Sequence, residues 1–129
     1  MQKLVLDTDI VVDYLRTGSG VIVEAVELQN DDKAEIYVST ITILELVSGR
    51  TGDQDIEKVK EFLRSFNIVV LHGELAEFVG RKRRELPKSL SLSDLIIGGT
   101  ALWLGAKLVT RNKKHFEQIP GLKFWRTVD

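Results

Sequence analysis

The sequence predicts an α/β fold on a parallel sheet of four or five strands, and three observations predict it. Short apolar runs rich in β-branched residues alternate with longer segments of helical period. The helical segments often come in pairs, which suits parallel strands joined by crossovers in a sandwich. Four apolar stretches end in or contain a polar residue that would sit at one rim of such a sheet: Asp7, Glu45, Asp94 and Asn112. No repeat, low-complexity tract or linker interrupts the pattern, so residues 1–129 read as one domain.

In chain order, KLVLD (3–7) reads as a short buried strand. Thr8 or Asp9 can cap a helix that runs to Arg16 and breaks at Gly18 and Gly20. VIVEAVELQ is a second helix, and EIYVS (35–39) a second strand. TITILELVSGR has helical length and stops at Gly49. DIEKVKEFLRSF carries Ile56, Val59, Phe62, Leu63 and Phe66 at helical spacing. IVVL (68–71) is a third strand. ELAEFVGRKRREL is an amphipathic helix closed by Pro87, and LSDLIIGGTALWLG an apolar, buried one. KLVT (107–110) is a fourth strand. A short turn or helix near His115 and Phe116 precedes a possible fifth strand in LKFW.

A chain of 129 residues can bury a real core without staples. With no cysteine, disulfides and thiolate metal sites are excluded. Two histidines, His72 and His115, make an all-protein zinc site a poor fit. No apolar run is long enough to span a membrane. No signal peptide is evident, so a cytoplasmic location is expected. The net charge of −1 does not mark a nucleic-acid binder, but the distribution is uneven. Arg81, Lys82, Arg83 and Arg84 form a basic run with Lys88 nearby, and Arg111, Lys113 and Lys114 flank Asn112. Such patches can follow phosphates, although a solvated helix face is the simpler explanation of a charge run.

Each acid has an ordinary explanation. Asp7 could be a turn or helix cap. Glu45 follows Thr42, and Asp94 follows Ser91, by the three residues of a capping box. Yet Glu45 sits among Ile43, Leu44, Leu46 and Val47, and a mid-helix glutamate there needs a partner. Acids gathered in apolar surroundings are costly to ionise unless compensated, and a divalent cation held by oxygen ligands compensates several at once. Thr8, Ser93 and Thr110 supply hydroxyls suited to orienting carboxylates and water. Asp13 reads as solvated or locally paired, and His115 as a packing residue.

Three blocks now carry a family resemblance: LVLDTDIVVDYL, STITILELVSG and LSLSDLIIGGTALWLGAKLVTRNKKHFEQIPGL. In content and order they resemble the PIN-domain ribonucleases, and among these the toxins of VapBC-type toxin–antitoxin pairs. The resemblance implies a three-layer α/β/α sandwich and a metal-dependent endoribonuclease. It places the family's acids on Asp7, Glu45 and Asp94, binding Mg²⁺ or Mn²⁺. The fourth position, often aspartate, is Asn112, whose amide supplies no negative charge. One tightly held ion is therefore expected, with a second recruited by the substrate phosphate. Thr8, Ser93 and Thr110 would support the site, and Arg16, Arg111, Lys113 and Lys114 would hold the RNA backbone. A homodimer and a cognate antitoxin follow from the resemblance alone.

Two rivals stay open. Asp7, Asp9 and Val11 fit the start of haloacid-dehalogenase-like phosphatases, with Asp7 as nucleophile. That class also wants a later lysine and a second acidic pair at a strand end, and KLVTRN supplies no such pair. A PIN-like module that binds RNA or a partner without cutting is the other, with Asn112 as its best support.

Overall fold

Leu4 and Leu6 join one hydrophobic cluster and Val5 the other, the alternation expected of an extended chain buried on both faces. The computed structural model describes residues 1–49 and 52–126. The span expected for one domain, 1–129, includes residues 50, 51 and 127–129, which lie outside the described residues.

The strands are β1 (Gln2–Leu6), β2 (Ala34–Ser39), β3 (Asn67–Val69), β4 (Lys107–Val109) and β5 (Lys123–Phe124). The helices are α1 (Thr8–Thr17), α2 (Ile22–Asn30), α3 (Thr40–Ser48), α4 (Ile56–Leu63), α5 (Gly73–Glu85), α6 (Leu92–Leu104) and α7 (Lys113–Phe116). The five strands form one sheet in the order β3-β2-β1-β4-β5. Every pairing is parallel, with Leu4 opposite Ile36 and Val5 opposite Leu108.

Three layers result. On one face Leu4, Leu6, Ile36 and Val38 meet Ile10 and Val11 of α1, Ile22 and Ala25 of α2, and Val59 of α4. On the other, Val5 and Leu108 meet Leu75 and Val79 of α5, Leu95 and Ile97 of α6, and Phe116 of α7. Helix α3 spans the sheet end, with Leu46 in the first cluster and Ile41 against the second. Full burial of one such side chain stabilises by about 1.5–3 kcal/mol. Among the described residues no helix is long and apolar enough to cross a membrane.

Sequence signals set most helix ends. Gly18, Gly49 and Gly105 close α1, α3 and α6 in the left-handed conformation that costs glycine least. Leu86 is extended before Pro87, as a residue preceding proline must usually be. Three strands are shorter than expected: β3 ends at Val69, β4 at Val109, and β5 keeps only Lys123 and Phe124 of LKFW. Val70 and Leu71 leave the sheet partly exposed.

Helix α6 carries Gly98 where a Cβ would lie 2.5 Å from Cδ1 of Ile119 and 3.5 Å from Cδ1 of Phe116. The missing side chain lets the α7 segment settle on α6. Gly98→Val should therefore overpack this contact and destabilise the fold by roughly 1–3 kcal/mol. Urea denaturation measures it, and an unchanged midpoint would contradict the close approach.

Candidate active site

Strand β1 lies between β2 and β4. The chain leaves β1 toward β2 on one side, whereas β4 leads to β5 on the other. The carboxyl ends of β1 and β4 thus flank the point where the winding reverses, the usual ligand crevice of an open α/β sheet. Asp7 follows β1 there and Thr110 follows β4. The Asp7 amide continues the ladder by donating to the Val109 carbonyl at 3.0 Å.

Thr110 Oγ1 donates to Asp7 Oδ2 at 2.8 Å and accepts from the Asn112 amide at 2.9 Å. One hydroxyl thus fixes both the carboxylate and the turn carrying Asn112. Asp7, rather than Thr8 or Asp9, occupies the N-cap position of α1, because Thr8 already has helical geometry. Its side chain makes no capping hydrogen bond. The carboxylate is therefore not explained as an ordinary helix cap.

Burial raises the Asp7 pKa to about 7. The Thr110 hydroxyl and the Thr8 backbone N–H oppose the rise, and the charges of Asp9 and Asp94 add to it. At 5 % exposure this acid is costly to ionise without a cation.

Glu45 is 3 % exposed on α3. The Thr42 capping box that the spacing allowed is not formed, and Glu45 is mid-helix as expected. Ser39 caps the helix by accepting from the Ile41 amide at 3.2 Å, which leaves Thr42 and Glu45 inside it. The partner that Glu45 needs is Thr8, whose hydroxyl donates to Oε1 at 2.8 Å. Thr8 Oγ1 also lies 2.9 Å from Thr42 Oγ1. With its own proton on Glu45, Thr8 accepts the one from Thr42. Asp7 and Thr8 are consecutive, so this network ties α3 to the Asp7 corner.

Asp94 stands in the first turn of α6, its amide held by the Ser91 cap at 3.1 Å, as the capping-box spacing implies. Ser93 belongs to this cap, its Oγ lying 3.3 Å from Ser91 Oγ. The Asp94 carboxylate is 28 % exposed, and Oδ2 lies 3.0 Å from His115 Nε2. The expectation that His115 only packs is thus corrected: the ring faces an acid of the site. Neither composition nor periodicity signals this contact. The available hint is the buried Phe116 beside it, which anchors the turn.

The basic residues divide. Arg111 Nε pairs with Asp13 Oδ2 at 2.7 Å, joining the β4 rim to α1. Lys113 Nζ lies 5.5 Å from the centre of the Phe124 ring. Lys114 and Asn112 are exposed. Arg16 is in the last turn of α1, on the order of 13 Å along the helix from Asp7. In the run at 81–84, Arg81 pairs with Glu77, and Arg83 donates to the Leu90 carbonyl between α5 and α6.

The acids supply only oxygen donors, which suit a hard divalent cation. Among the described residues no three Asp, Glu, His or Cys side chains converge closely enough to cage an ion unaided. That still fits Mg²⁺, which keeps several waters and commonly binds one or two carboxylates together with substrate phosphate.

Known proteins share this architecture. Ribonuclease VapC19 of Mycobacterium tuberculosis is 29 % identical over 121 residues, covering 92 % of this chain and 95 % of its own. The tRNA(fMet)-specific endonuclease VapC of Shigella flexneri is 25 % identical over 130 residues, covering 95 % and 96 %. The crystal structure of VapBC2 from Rickettsia felis, bound to a promoter DNA fragment, aligns with a TM-score of 0.83 at 26 % identity. That alignment covers 99 % of this chain and 100 % of the other. The PIN domain profile matches residues 4–122, and with that match the chain belongs to the PIN domain family.

Proposed function

We propose that this protein is a metal-dependent endoribonuclease, the toxin of a type II toxin–antitoxin pair. The observation that carries the reading is Asp7, a buried carboxylate at the β1/β4 crevice with the charges of Asp9 and Asp94 beside it. The likeness to VapC ribonucleases along nearly the whole chain supports it. Asp7 and Asp94 are the principal ligands of one Mg²⁺ or Mn²⁺, and Glu45 binds directly or through water. When bound, the ion makes water acidic enough to attack phosphorus near neutral pH and offsets charge on the phosphate. Thr110 and Thr8 orient Asp7 and Glu45 through the hydrogen bonds described. Ser93 supports the α6 cap beneath Asp94. Asn112, pinned through its backbone to Thr110, orients water or a second ion brought by the substrate.

Arg111, Lys113 and Lys114 line the rim where RNA phosphates approach, and Arg16 extends that contact along α1. The protein acts in the cytoplasm as a homodimer. Exposed Leu44 and Val47 on α3 offer that dimer an apolar surface. The cognate antitoxin blocks the acidic site with one of its segments. Mapping of cleavage ends on purified total RNA, with Mn²⁺ or with EDTA, tests the activity. Cleavage that persists in EDTA, or none with Mn²⁺, would overturn it.

Asp7 also sets a pH dependence. Its folded pKa of about 7 exceeds the ordinary 3.8, so the native state holds the extra proton between those values. Without a cation, stability contributed by this group falls as pH rises through that window. A bound cation replaces the proton. Millimolar Mn²⁺ should therefore raise the melting temperature more at pH 8 than at pH 5.5. Equal gains at both pH values would contradict the coupling.

A further inference from the structure

We propose that His115 is a positioning residue that orients the Asp94 carboxylate for the cation, an inference that rests on the metal-nuclease reading above. Asp94 is the least confined of the three acids: Asp7 and Glu45 are nearly fully buried, whereas Asp94 is 28 % exposed. A half-open aspartate on a helix samples several rotamers, and each must be lost when it takes up an ion. The partner that can hold it is the His115 ring, with Nε2 3.0 Å from Oδ2. Nε2 donates in the imidazolium and in one neutral tautomer, so the contact does not depend on the charge of the ring.

The ring is itself well fixed. Its backbone amide donates to the Asn112 carbonyl at 3.1 Å, and its carbonyl accepts from Gln118 Nε2 at 2.9 Å. Phe116, fully buried, meets the ring edge-on at a centroid distance of 5.9 Å. Phe116 and Ile119 approach α6 at Gly98, one helical turn beyond Asp94. The glycine thus lets α7 sit low enough on α6 for His115 to overlie its first turn. A carboxylate with one oxygen held by a neighbour keeps acceptor sites for an ion and meets it already oriented.

The test compares wild type, His115→Ala, His115→Gln and Asp94→Asn. Mn²⁺ affinity is read on RNA-free protein from the electron paramagnetic resonance of unbound Mn²⁺. Apo melting temperature, kcat and KM on RNA accompany it. His115→Ala should weaken Mn²⁺ binding about 10–100-fold, the usual loss when a ligand's hydrogen-bonded partner is removed. It should lower kcat more than KM changes. His115→Gln, which keeps an amide donor, should recover most of the affinity. Wild-type Mn²⁺ affinity in His115→Ala, with Asp94→Asn impaired, would overturn the role of His115 and leave the metal site standing. Wild-type affinity in Asp94→Asn as well would overturn the metal reading itself. Equal loss in Ala and Gln variants, with both apo proteins melting lower, would make His115 a packing residue and overturn the proposal.

Discussion

Asp7→Asn should all but eliminate RNA cleavage while making the metal-free protein more stable at neutral pH. The two effects have one cause. Burial raises the folded pKa of Asp7 from 3.8 to about 7, so its ionisation opposes folding above the ordinary carboxylate range. A tenfold change in an ionisation equilibrium corresponds to about 1.4 kcal/mol. Part of the gain is lost because the amide must share the Thr110 hydroxyl differently, so a net stabilisation of ~1–3 kcal/mol at pH 8 is expected. At pH 4 the wild-type carboxyl is protonated in the folded state and the gain should vanish. Cleavage should fall on the order of 10²–10³-fold or more, the scale of losing one group that stabilises transition-state charge. Urea denaturation in EDTA at both pH values, with cleavage by protein free of host nucleases, measures both. A variant less stable than wild type at pH 8, or one that cuts at close to the wild-type rate, would sink the assignment.

Thr8→Val should damage both stability and cleavage while leaving every acid in place. It keeps the shape of the side chain and removes the hydroxyl that Glu45 and Thr42 both use. A hydrogen bond contributes about 0.5–1.5 kcal/mol, and a buried partner left unsatisfied costs about 1–3 kcal/mol more. We expect destabilisation by ~2–3 kcal/mol and a melting temperature lower by roughly 5–10 °C. Cleavage should fall as well, because Glu45 loses the contact that aims it. Thr8→Ser, which restores the hydroxyl, should recover most of both. Thermal melts and initial rates on one RNA decide the matter, and a valine variant as stable and active as wild type would show the network to be idle.

The acids of the site differ in how openly the sequence declares them. Asp7 is legible as an acid directly after a buried apolar run, but that it is more than a helix cap shows only in the structure, where its side chain makes no capping hydrogen bond. Asp94 is legible because Ser91 three residues earlier is a true cap. Glu45 is legible as an acid needing a partner, but its partner is not. Thr42 has the spacing of a cap, yet the helix begins earlier, at a serine that also ends β2. Local spacing cannot separate the two cases when β-branched residues open a helix. The strand order, the Arg111–Asp13 pair and the His115–Asp94 contact are illegible for another reason. The third depends on the α7 segment settling on α6 at Gly98, and the first two on β4 lying beside β1, a long-range pairing that leaves no period in the chain.

That pairing has a consequence in time. Asp7 is made among the first residues, but Thr110, which holds it, is separated from it by 103 positions. Strand β4 must be synthesised and docked before the crevice exists. Domains begin to fold as they emerge during synthesis. A chain emerging from the ribosome can build β1, β2 and β3 with their helices and still have no complete acidic site. The order of strands therefore leaves the crevice unformed in a growing chain until Thr110 has been made.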